Sequence, residues 1–127
     1  MSPDAFLALA QEAFDALPEP FRAACEGVAI LTPDLPDATT LAAMEIEDPY
    51  DLLGLYSGVA RPFKSVLQAP DGPDMVMVYR LPVLAYAEDE GFAIADVVRH
   101  VLIHEIGHHL GFSDDDMEAI EAADDQP

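Results

Sequence analysis

The chain has a single cysteine, Cys25, so it can form no intramolecular disulfide and no cysteine cluster that binds a metal. Nothing in Phe21-Arg22-Ala23-Ala24-Cys25 supplies a base for a nucleophilic thiol. The expected role is a buried, inert side chain in a short helical stretch. Basic residues are nearly as scarce. Arg22, Arg61, Lys64, Arg80 and Arg99 stand against 25 acidic residues, for a formal charge of −20. That field repels phosphate backbones and anionic lipid, so neither nucleic acid nor membrane is expected as a partner. No apolar run approaches the ~20 residues that span a bilayer. Met1-Ser2-Pro3-Asp4 also lacks the positive charge that opens a secretory signal, and the expected location is cytoplasmic. No internal repeat or long linker divides the chain, and 127 residues suit a single domain, 1–127, around one core.

What is present is a globular composition, 51% hydrophobic, with helical patterning at both ends. Phe6, Leu9, Ala10, Ala13, Phe14 and Leu17 fall on one face of a helix running from Pro3 to Leu17, which Pro18 and Pro20 end. Val28-Ala29-Ile30-Leu31-Thr32, between Gly27 and Pro33, reads as a buried strand. The segment 33–51 is rich in Pro and Asp and predicts loop, with a helical turn near Leu41 to Met44. Leu52-Leu53-Gly54-Leu55-Tyr56 predicts a short strand. Ser65 to Gln68 and Met75 to Tyr79 predict two arms of a hairpin around Ala69-Pro70-Asp71-Gly72-Pro73, the second arm covered on both faces. Arg80 to Ala87 is expected to continue as strand or loop, at an edge because of Pro82. From Phe92, the residues Ile94, Val97, Val98, Val101, Leu102 and Ile106 keep helical spacing to Leu110, and Gly111 supplies a left-handed stop. Ser113 with Asp114, Asp115 and Asp116 predicts the N-cap and acidic first turn of a last short helix. The order is therefore helix, small sheet, long helix, short helix.

All four histidines, His100, His104, His108 and His109, lie within ten residues on the long helix. His104 and His108 are four apart and rise from one face, which suits two imidazoles binding one zinc ion at ~2.0–2.1 Å each. Glu105 sits beside them as a general base for a zinc-activated water. One Zn2+ per chain is the expected cofactor, although two imidazoles and a carboxylate also suit iron, cobalt or manganese.

Catalytic zinc takes a third protein ligand. Gly111 lets the chain turn back, which makes Asp114 the leading candidate, with Asp115 or Glu118 as substitutes. The competing role for Asp114, and equally for Asp115 and Asp116, is capping and dipole compensation at the next helix. His100 and His108 are eight residues apart, ~12 Å along the axis, too far to share an ion. His100 is therefore expected to support the site or sit at the core edge. His109 points elsewhere and should pack or hydrogen-bond there. Met117 is core filler. No oxyanion helper stands out, and Tyr79, Arg80 and Tyr86 are expected to have packing or surface roles.

The run His104-Glu105-Ile106-Gly107-His108, extended to Gly111 and Asp114, resembles the zincin metallopeptidases. It looks like the metzincin pattern with aspartate in place of the third histidine. His104 through Glu118 most resembles the small bacterial zincin-like metallopeptidase family. That resemblance implies an α+β, reduced zincin-like fold: a small mixed sheet packed on a long active-site helix, flanked by an N-terminal helix and a short C-terminal helix. An edge of the sheet would be open to an extended peptide. It also implies zinc on His104 and His108 with Glu105 as base, and Asp114 matches the third-ligand position. The metzincin methionine turn has no counterpart, and the lower half of a substrate cleft is not evident. The expected activity is zinc-dependent hydrolysis of a peptide or related amide bond, with a peptide or protein as substrate. A non-catalytic, metal-stabilised interaction module is the alternative. A zinc-dependent RNA-processing hydrolase resembling the zinc factors of ribosomal RNA maturation ranks behind it. Those factors have glycine where this chain has Glu105, and the acidic surface opposes RNA.

Overall fold

The computed structural model describes residues 1–25, 27–57, 75–111 and 113–124. Among them are six α-helices and a three-stranded mixed sheet packed on the longest helix, an α+β arrangement consistent with a reduced zincin fold. α1 (Pro3–Asp15) starts where the Ser2 hydroxyl accepts the Ala5 N–H, and it buries Phe6 and Ala10 as its periodicity predicts. α2 (Glu19–Ala24) delivers Phe21 and Cys25 to the core, and Cys25 is buried as expected. α3 (Ala38–Met44) grows from the turn expected near Leu41, with the Asp37 carboxylate accepting the Thr40 N–H. A single 3-10 turn, Pro49–Asp51, leads to the next strand.

The strands are β1 (Ala29–Leu31), β2 (Gly54–Ser57) and β3 (Met75–Val78), in spatial order β1-β3-β2. β3 is central, parallel to β1 with Ala29 opposite Met75, and antiparallel to β2 with Gly54 opposite Val78. Its Val76 and Val78 are fully buried. β1 departs from expectation. It is an edge strand with Ala29 exposed and Leu31 43% exposed, and only Ile30 packs toward the core. Three residues at a sheet edge bury one side chain, and the apolar run concealed that. Ser65 to Gln68 and the turn after it lie outside the described residues.

The larger correction is α4 (Arg80–Glu90), a helix where strand or loop was expected. Pro82 sits in the first turn, where helical N–H groups have no partner within the helix, so the missing donor costs nothing. The loop after β1 serves its neighbours: Arg80 N–H donates to the Pro33 carbonyl at 2.9 Å and Leu81 N–H to Asp34 at 3.1 Å. Val83 and Ala87, one turn apart, face the core, and Gly91 ends the helix at φ 74°.

α5 (Ile94–Leu110) is the axis of the molecule and touches α1, α2, α4, β2, β3 and α6 (Asp114–Asp124). Val98, Leu102, Ile103 and Ile106 are fully buried. Gly111 stops the helix in the left-handed region at φ 87°, which a side chain would strain. Ser113 then opens α6 through a reciprocal box: its Oγ accepts the Asp116 N–H at 3.1 Å, and an Asp116 carboxylate oxygen accepts the Ser113 N–H at 3.2 Å. Among the described residues, no helix is long and apolar enough to cross a membrane.

Candidate metal centre

Because α5 reverses at Gly111, α6 runs back along it. Residues at nearly equal distances from the turn come face to face: Met117 meets Gly107, and Glu121 meets His104. Met117 is fully buried, and a Cβ on Gly107 would collide with its Sδ and lie 2.9 Å from its Cγ. The glycine inside the histidine motif thus admits α6 to close contact with α5.

The motif residues divide between two surroundings. His104 and His108 stand one turn apart with ring centroids separated by 6.1 Å and planes nearly perpendicular, His104 half-buried and His108 exposed. Glu105 turns toward the sheet. Its Cγ lies 3.6 Å from where a Cβ of Gly54 on β2 would stand, beside Val101 and the Met77 carbonyl. Burial raises the Glu105 pKa, and the nearby His108 partly offsets the rise. Tyr79, also pushed upward, owes this first to burial and then to Asp37 and Glu105.

His100 comes closer to the centre than its supporting role implied. Its ring lies 4.0 Å from that of His104, and its Nδ1 is 3.0 Å from Glu121 Oε1. His104 Nε2 is 3.5 Å from the same oxygen. His100, His104 and Glu121 therefore form a cluster whose donor atoms all lie within 4.8 Å of one another. Glu121 was not picked out from the sequence. The available signal was the antiparallel hairpin, since counting outward from the Gly111–Ser113 turn brings position 121 within one residue of position 104.

Asp114 is the first residue of α6, and its side chain lies outside the described residues. Asp115 and Glu118 are exposed, and capping falls to Asp116. His109 packs away from the centre, stacked on Tyr56 of β2 at 3.8 Å. Tyr79 is a core residue whose hydroxyl donates to Met77 Sδ. Arg80 pairs with Asp34 at 2.8 Å, and Tyr86 lies against Phe92. These three have the packing and surface roles expected of them.

The donors suit zinc. Imidazoles at four-residue helical spacing, with carboxylates on the facing helix, are the nitrogen and oxygen ligands the ion takes in hydrolytic sites. Residues 25–123 match the family described as zincin-like metallopeptidase. No curated protein matches the chain.

Proposed function

The chain belongs to the zincin-like metallopeptidase family, and on that premise we propose that it is a zinc-dependent peptidase with Glu105 as general base. His104 and His108 would hold the ion, with Asp114 as third ligand. Zinc, when bound, supplies a Lewis acid that polarises the substrate carbonyl and brings the pKa of a water near 7. Glu105 takes the proton of the attacking water and delivers it to the leaving amine nitrogen. The observation that carries this reading is the placement of Glu105. It lies between the two histidines in sequence yet is half-buried against Gly54, where burial makes it a stronger base than an exposed carboxylate.

Two further features support a peptide as substrate. Among the described residues β2 pairs only with β3, leaving its other edge for an extended chain to join by main-chain hydrogen bonds. The formal charge of −20 favours basic or neutral peptides over phosphate-bearing polymers. The test is Glu105→Gln, assayed for zinc content by elemental analysis and for turnover on a fluorogenic peptide library. The variant should keep its zinc and lose turnover by a factor of about 10² to 10⁴. Equal rates for variant and wild type would overturn the mechanism.

A further inference from the structure

His100, His104 and His108 form a ladder on α5 with equal steps of four residues, and Glu121 stands opposite the first step. A tetrahedral ion with ligands at about 2.0–2.1 Å sets neighbouring donor atoms about 3.3 Å apart. The contacts of Glu121 Oε1 bracket that value, at 3.0 Å from His100 Nδ1 and 3.5 Å from His104 Nε2. Two imidazoles and a glutamate are a complete three-ligand set for zinc, with the fourth position left for water. The set is also reachable. His100 is 55% exposed, and with Glu121 it lines a cavity of about 590 Å³ that also touches Tyr86 and Phe92. Met117, locked against Gly107 one turn before Glu121, fixes where α6 presents the carboxylate.

We propose that His100, His104 and Glu121 are a second divalent-cation site that excludes the first. A neutral imidazole offers one lone pair, so His104 serves one ion at a time. An ion held by His100 and Glu121 through His104 leaves His108 and Glu105 without it, and the peptidase is off. The site itself stands on the cluster alone, whereas its exclusion of catalysis rests on the function proposed above. The protein then carries one ion with two stations a helical turn apart.

The experiment is calorimetric titration of the metal-free full chain with zinc, comparing wild type, His108→Ala, His108→Ala/Glu121→Gln and His108→Ala/His100→Ala. Circular dichroism of each metal-free variant checks that the fold is retained. Wild type should take one zinc per chain. His108→Ala, which lacks the first pair, should still take one, and adding Glu121→Gln or His100→Ala should weaken that binding at least tenfold. No zinc uptake by His108→Ala, or affinity indifferent to both added changes, would overturn the site and leave His100–Glu121 as an ion pair only. Two zinc ions per wild-type chain would overturn the exclusion. Equal turnover in Glu105→Gln would defeat the peptidase reading and leave these binding results standing.

Discussion

Gly107 is subject to two opposed effects, and the structure decides which one wins. It lies in the interior of α5, where glycine costs about 1 kcal/mol relative to alanine, so Gly107→Ala taken alone should stabilise the helix. The new Cβ, however, would enter space held by Met117 Sδ and Cγ, with Phe21 Cε1 at 3.7 Å behind it. Methionine is flexible, but Met117 and Phe21 are both fully buried and neither has free volume to retreat into. Overpacking of this kind costs about 2 kcal/mol. The net expectation is a loss of about 1 kcal/mol, read as a lower urea midpoint at unchanged m-value. The decisive control is the same substitution in a Met117→Ala background, where the collision is gone and only the helical gain remains. There Gly107→Ala should stabilise by about 1 kcal/mol, giving a coupling of about 2 kcal/mol between the two positions. If Gly107→Ala stabilises the wild-type chain, α6 does not pack where it is described, and the pairing of Glu121 with His104 falls with it.

Gly54→Ala should be costlier, about 3 kcal/mol by thermal or urea unfolding, because the added Cβ meets Val101 and lies 2.9 Å from the backbone carbonyl of Met77, which cannot rotate away. A loss below about 1 kcal/mol would mean that β2 does not rest on α5 at this point. For Glu105, a folded-state pKa above its ordinary value near 4.5 means that its contribution to stability is full below that value and is lost as pH rises through the raised one. Melting temperatures of metal-free wild type and Glu105→Gln should therefore diverge upward from about pH 4.5, with the variant gaining relative to wild type, and parallel curves would contradict the burial of Glu105.

How much could be read from the sequence depended on distance along the chain. α1 and α5 follow from the spacing of Phe6 and Ala10 and of Val98, Leu102 and Ile106. Both ends of the α5–α6 turn follow from Gly111 and Ser113, because caps are local chemistry. The histidine motif was legible for the same reason, being contiguous on one helix. α4 was misread because Pro82 signals a break only where its absent N–H is needed, and the loop carbonyls of Pro33 and Asp34 that serve its neighbours lie far away in sequence. β1 looked buried because apolar content does not say which strand of a sheet is at the edge. Glu121 escaped notice since its partners sit on another helix, and only the register of the hairpin brings them together.

The absence of a side chain at Gly54 sets the tolerance of the centre. Side chains between two elements act as springs, because rotamers exchange within nanoseconds and each exchange changes the spacing. Here the main chain of β2 bears directly on Val101, a β-branched residue that in a helix has essentially one rotamer. That contact is a hard stop. The offset between the edge of β2 and the stretch of α5 that carries Val101 and Glu105 is therefore inherited from covalent geometry and van der Waals radii.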